Sequence, residues 1–277
     1  MQGSPHRLLI GLSTIMLIAT AIGVQQRIGA AQVQAALPHA QRLTVQIVAK
    51  QPHDPTAFTE GFELDHGVLY ESSGNYTRLS LRAENLANGQ PVLANSLPGN
   101  IFAEGIAIDG DQIVQLTWKN QTAYVYDRQT FALKKIFQYD GEGWGLCFDG
   151  THYVMSNGSA TLTVRDPQTF DLLRRIAVDL DGRPIDQLNE LECVGNSVYA
   201  NVWLTDQIVK IDPATGHVTA LIDAAGLITP AERASAGTDG VLNGIAYDAQ
   251  TGNFLITGKL WPWMFTVKFV PEALTYF

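Results

Sequence analysis

Short runs of alternating apolar and polar residues recur along the chain in pairs, each pair folded about a tight-turn signal. At 102–119 two such runs flank Asp109-Gly110-Asp111, which predicts a β-hairpin. The same pattern opens at Phe62, Ile106, Leu146, Leu191 and Ile245, with second runs at 68–71, 112–116, 152–155, 197–201 and 253–257. The opening residues lie 44, 40, 45 and 54 residues apart. Repeats of roughly 40–50 residues made of short strands mark propeller blades. Five copies predict an all-β chain folded as a five-bladed β-propeller; a sandwich or barrel with regular turns is the alternative.

Outer strand pairs are expected at 123–127 and 133–138, at 162–166 and 172–178, and at 207–212 and 218–223. Their turns begin with Asp127, Asp166 and Asp212, whose carboxylates suit turn N–H groups. The fifth repeat stops after a third strand at 265–270. An alternating run at 42–50 belongs to no repeat, so it is expected to supply the missing outer strand and close the ring. An insertion at 224–240, with a short helix expected at 230–234, reads as a lid or as a tolerated surface loop.

The register also locates a site. Two residues before the anchors stand Glu60, Glu104, Trp144, Asn189 and Asn243; twelve after them stand Gly74, Trp118, Gly158 and Trp203. A turn two residues longer brings Lys259 into the second set. Equivalent positions share radius and height, so each set forms a ring near the axis. Their unlike chemistries point to one asymmetric pocket. Glu104 among tryptophans is desolvated, which raises a carboxyl pKa towards the range useful for two-way proton transfer.

The start of the chain changes the picture of location. His6 and Arg7 precede an apolar run at 8–24 and a small-residue stretch, so residues 1–36 read as a signal peptide or an N-terminal membrane anchor, and the protein as exported, periplasmic or extracellular. The domain proper spans 42–277. A formal net charge of −9 without a Lys/Arg cluster argues against nucleic acid or an anionic membrane surface as partner. Cys147 and Cys193 follow their anchors by one and two places, so alternation sends them to opposite strand faces and no disulfide is expected. The six histidines lack metal-ligand spacing. Glu60, Glu104, Asn189 and Asn243 are oxygen donors at one radius, so a calcium cage stays open as a reading.

Several stretches then resemble one family: Phe-Thr-Glu-Gly-Phe (58–62), Phe-Ala-Glu-Gly-Ile (102–106), Glu-Gly-Trp-Gly-Leu (142–146), Leu-Asn-Glu-Leu-Glu (188–192), Ala-Asn-Val-Trp (200–203), Val-Leu-Asn-Gly-Ile-Ala (241–246) and Thr-Gly-Lys-Leu-Trp-Pro (257–262). They are similar to the glutaminyl-peptide cyclotransferases of the plant and bacterial type. The resemblance implies a propeller that converts N-terminal glutamine of peptides or proteins to pyroglutamate with release of ammonia. It implies no cofactor or metal, and a monomer is expected. Glu104 falls at the family's proton-transfer position, with Asn189, Lys259 or a tryptophan indole N–H as candidate oxyanion donors. Phe58, Trp118, Trp144 and Trp203 fall at pocket positions, and Glu60 stands where the family usually has Gln. A calcium-dependent, lactonase-like hydrolase and a non-catalytic binding propeller are the alternatives.

Overall fold

The computed structural model describes residues 39–272 apart from 75, 77 and 78. The segment read as a signal or anchor lies outside the described residues. Among the described residues, no helix is long and apolar enough to cross a membrane.

The chain is all-β and propeller-like. After β1 (Gln41–Pro52), the first unit comprises β2 (Thr59–Asp65), β3 (Val68–Ser73), β4 (Leu81–Asn85) and β5 (Gln90–Asn95). The second is β6 (Ala103–Asp109), β7 (Gln112–Thr117), β8 (Thr122–Asp127) and β9 (Leu133–Gln138). The third is β10 (Leu146–Phe148), β11 (Tyr153–Met155), β12 (Thr161–Arg165) and β13 (Leu172–Ala177), followed by a small hairpin of β14 (Asp179–Leu180) and β15 (Arg183–Pro184). Next come β16 (Leu188–Val194), β17 (Ser197–Val202), β18 (Gln207–Ile211) and β19 (Val218–Asp223). Helix α1 (Pro230–Ala236) then leads to β20 (Leu242–Asp248), β21 (Asn253–Gly258) and β22 (Trp263–Pro271). Each unit is an antiparallel meander. Their first strands touch in a closed cycle, β2 to β6, β10, β16, β20 and back to β2.

Closure is tighter than expected from the pattern. β1 pairs antiparallel with β22, as its alternation suggests, and its first residues also pair parallel with β19, Gln41 opposite Ala220 through Thr44 opposite Asp223. One strand therefore fuses two units into an eight-stranded sheet. The turns follow the expected chemistry. Asp166 Oδ1 accepts from the N–H groups of Gln168 (2.8 Å) and Thr169 (3.0 Å), and Asp127 and Asp212 act alike. The next residues, Phe131 and Phe170, take positive φ, an unfavourable conformation for bulky side chains. Their rings are buried between units, and burial of an aromatic offsets that strain.

Adjacent units pack face to face, and each hydrophobic cluster spans two neighbours. Tyr70, Leu81 and Ala83 meet Ile106 and Ile113; Leu116 and Val125 meet Leu146 and Tyr153; Phe62 and Leu69 meet Ala246 and Leu255. This geometry corrects the cysteine reading. Cys147 on β10 and Cys193 on β16 form a disulfide with Cα atoms 5.4 Å apart. Opposite faces of equivalent strands are the faces that meet across a unit interface, so the alternation that seemed to forbid the bond permits it. The bridge closes a loop of 46 residues. By chain entropy that is worth about 4 kcal/mol. Replacing both cysteines with serine should therefore lower Tm by several degrees, measurable by calorimetry.

Near the axis the backbones nearly touch. A Cβ on Gly105 would lie 2.6 Å from Leu146 N, and one on Gly61 2.6 Å from Ile106 N. In β16 the position before the anchor is Glu190 instead. Its carboxyl accepts from Phe62 N (3.3 Å) and Ile245 N (2.8 Å), and Glu192 accepts from Tyr247 N (3.2 Å). Burial holds both groups well above the usual carboxyl range. They satisfy inner-strand N–H groups that no neighbouring strand reaches.

Candidate active site

Four inner hairpins carry the same irregularity. Their register shifts between Thr59 and Gly61, Ala103 and Ile106, Leu188 and Leu191, and Leu242 and Ile245. A bulge re-aims side chains and ends regular pairing. The residues set on these bulges are Glu60, Glu104, Asn189 and Asn243. The second ring is held beside the first by a repeated backbone bond: Gly74 N to Phe58 O (2.8 Å), Trp118 N to Phe102 O (3.0 Å), Trp203 N to Gln187 O (2.8 Å) and Lys259 N to Val241 O (2.9 Å). Lys259 thus occupies the place that the longer turn was expected to give it.

The rings enclose a cavity of about 250 Å³ lined by Phe58, Glu60, Phe102, Glu104, Trp118, Trp144, Asn189, Trp203, Leu204, Asp239 and Lys259. Phe58, Glu60, Glu104, Trp118, Trp144, Asn189, Trp203 and Lys259, expected there from the sequence, are all in its wall, whereas Asn243 of the inner ring is not among the lining residues. Trp144 and Trp203 meet edge to face with centroids 5.5 Å apart, and Phe102 contacts both Trp118 (5.8 Å) and Phe58 (5.9 Å). The glycines of the second ring make room for these walls. A Cβ on Gly158 would sit 2.6 Å from the Trp144 indole, and one on Gly74 would overlap Phe102.

At the base of the cavity Lys259 Nζ lies 2.6 Å from Glu60 Oε1, both side chains almost fully buried. Asn243 Nδ2 donates to Glu60 Oε2 (3.2 Å) and to Thr59 O (2.8 Å). The ammonium also rests 4.6 Å from the centroid of Phe58. Burial raises the Glu60 pKa, opposed by Lys259. Glu104 has no cation of its own. Burial and then the charge of Glu60, opposed by the Lys259 ammonium and helped by Glu142, hold its pKa well above the usual carboxyl value, and its carboxyl is within hydrogen-bonding reach of Glu60. The pair resembles other facing carboxyls whose environments separate their proton affinities. Asn189 Oδ1 is buried without a protein partner.

Two readings change. The indoles of Trp118 and Trp144 both donate to Glu142 Oε2, at 2.8 and 3.1 Å, so neither N–H is free for an oxyanion. The oxygen-donor set is also not an open cage: the Lys259 ammonium neutralises the carboxylate that a cation would use. Among the described residues no group of three or more His, Cys, Asp or Glu side chains is arranged to hold a metal ion.

Sequence reasoning missed Glu142, Phe102, Leu204 and Asp239. Glu142 stands inside the motif that placed Trp144, but its role as a shared acceptor depends on two units meeting. Asp239 lies near the end of the 224–240 insertion, which therefore borders the cavity. Its helix has the Thr229–Glu232 capping box and is docked: Arg233 bonds Asp206 (2.8 Å), and Trp263 Nε1 donates to Glu232 (2.6 Å).

Comparisons with known proteins identify relatives over most of the chain. The family profile described as glutamine cyclotransferase matches residues 17–269. The glutaminyl-peptide cyclotransferase of Arabidopsis thaliana is 36% identical over 230 residues, covering 81% of this chain and 71% of that protein. The crystal structure of Myxococcus xanthus glutaminyl cyclase superposes with a TM-score of 0.76 at 37% identity, covering 85% of this chain and all of that one. A match over most of the chain, with the motifs gathered in one cavity, places this protein in the glutamine cyclotransferase family.

Proposed function

We propose that the chain converts the N-terminal glutamine of peptides to pyroglutamate on a five-bladed β-propeller, with Glu104 as the proton-transfer group. The observation that carries this reading is Glu104 itself: a buried carboxyl of raised proton affinity, facing the Glu60–Lys259 pair inside an aromatic cavity. The blade count rests on the closed cycle of first strands, with β1 completing the last blade.

In the reaction the neutral α-amine attacks its own γ-carbonyl. The new bond joins the amine nitrogen to the carbonyl carbon; the bond to the amide nitrogen breaks, and ammonia leaves. One proton passes from the amine to the leaving nitrogen, so a single group can accept and return it. Glu104 fills that role. The aromatic walls hold the glutaminyl side chain curled, and orientation of this kind can be worth roughly 7–11 kcal/mol. They also exclude water, which favours cyclisation over hydrolysis. Lys259 steadies the oxygen of the tetrahedral intermediate. Asn189 Oδ1, without a protein partner, is placed to take a substrate N–H. The Cys147–Cys193 bridge supports an exported protein, since such bonds persist in oxidising compartments.

The test is turnover of a Gln-initiated dipeptide by the purified protein. Pyroglutamate and ammonia should appear in equal amounts, with and without EDTA. Activity on lactones that EDTA abolishes, with none on Gln-peptides, would favour the calcium-dependent hydrolase. Ligand-dependent protection from melting without turnover would favour a binding protein.

A further inference from the structure

A buried ionic network outside the cavity abuts the turn that carries Lys259. His53 lies between β1 and β2, with its side chain 1% exposed. Its Nδ1 faces Trp261 O at 2.9 Å, and its Nε2 faces Glu71 Oε1 at 3.2 Å. Trp261 O is a carbonyl and can only accept. Thr257 Oγ1 also approaches Nδ1 (3.4 Å) but donates its own proton to Trp263 O (2.9 Å). Glu71 is an ionised acceptor as well. Its Oε1 takes the Thr59 hydroxyl (2.6 Å), its Oε2 takes two N–H groups of Arg82, and its pKa is lowered to about 2. Both ring nitrogens must therefore donate, and only an imidazolium does so.

The partners of His53 shape the loop at the cavity base. His53 N donates to Pro262 O (2.9 Å), and Leu260 N donates to Ala57 O (2.7 Å). The loop turns through Leu260 at positive φ and packs Trp261 fully inside, with its indole N–H on Gly240 O (2.9 Å). Lys259 is the residue before that turn. We propose that His53 is held as an imidazolium and acts as a positioning residue, its charged hydrogen bond to Trp261 O fixing the loop that sets Lys259 against Glu60. The inference rests on the reading of Lys259 and Glu104 given above.

The surrounding charges are consistent with the bond pattern. Burial opposes the charge on His53, but Glu71 and the Trp261 carbonyl outweigh it, so the ring's pKa is raised. Arg82 opposes the charge; Glu71, Glu84 and Asp54 are the acidic groups of the same network. Because the folded-state pKa is raised, the imidazolium's contribution is complete below the ordinary imidazole range and is lost as pH rises through the folded value.

Two measurements test the proposal. The ¹⁵N shifts of the His53 ring in the wild-type protein should show both nitrogens protonated at a pH where free imidazole is neutral. On a Gln-initiated dipeptide, His53→Gln should lower kcat by roughly 10- to 100-fold with KM changed by less than about twofold, because the loop is misplaced while the aromatic walls stay. The wild-type kcat should also fall on the alkaline side with the midpoint at which the ring titrates, and His53→Gln should lack that limb. A neutral ring at pH 7, or a folded His53→Gln with wild-type kcat and only a lower Tm, would overturn the proposal. Should the variant not fold, the match or mismatch of the two wild-type midpoints decides. Failure of the underlying reading looks different: wild-type protein without turnover, or Glu104→Gln with full activity, whatever the state of the ring.

Discussion

Glu104→Gln lowers kcat by about 10²- to 10⁴-fold and leaves KM nearly unchanged, if Glu104 carries the proton. The substitution keeps the shape of the side chain and its reach to Glu60 but removes the titrating group. Steady-state kinetics on a Gln-initiated dipeptide measures it. Trp118→Ala should behave differently and raise KM, since it deletes a wall that packs on Phe102 and strips Glu142 of one of its two indole donors. Glu60→Gln is the control. A glutamine oxygen can still accept from Lys259, and Asn243 Nδ2 keeps its bond to Thr59 O (2.8 Å), so only the weaker Asn243 contact to position 60 is lost. The variant should fold and turn over. Removing the Glu60 charge also removes a cause of the raised Glu104 pKa, so the pH profile should move to lower pH. Equal damage from Glu60→Gln and Glu104→Gln would mean that the carboxyls act as a pair.

The second large effect concerns closure. Deleting residues through Pro52 removes β1 and leaves two raw edges, one on β22 and one on β19. It also removes a ladder that runs from Leu43 to Pro52 along β22. The truncated chain should lose its cooperative thermal transition by circular dichroism. A chain beginning at Leu37 should keep it. Equal melting of the two would contradict the role given to β1.

Much of this was legible because the chain repeats itself. A paired strand pattern about a tight turn in each repeat located the inner hairpins, and a single register placed Glu104, Trp118 and Lys259 together before any contact was known. Alternation also found β1, although not its parallel partner β19, since one strand's pattern carries no information about a second edge. What stayed hidden lies between units. The Cys147–Cys193 bond was misjudged because alternation describes one sheet, whereas the bond joins facing sheets. Glu142 looks like any loop glutamate until two tryptophans from different units converge on it. Glu190 is visible only as the one non-glycine in a row with Gly61, Gly105, Gly145 and Gly244, a difference whose meaning depends on how closely the inner strands approach. His53 and Glu71 lie on either side of the junction between the last and first units, and nothing in their local sequence pairs them.

The central claim is that the proton-transfer carboxyl in this cavity has a proton affinity raised well above that of an ordinary glutamate. Titration of Glu104 by ¹³C carboxyl NMR, assigned by its loss in Glu104→Gln, tests this most directly. A midpoint well above the ordinary glutamate range, displaced downward in Glu60→Gln, is the result expected from its burial and from its neighbours Glu60 and Glu142. A midpoint at the ordinary value near 4.3, indifferent to Glu60, would contradict it.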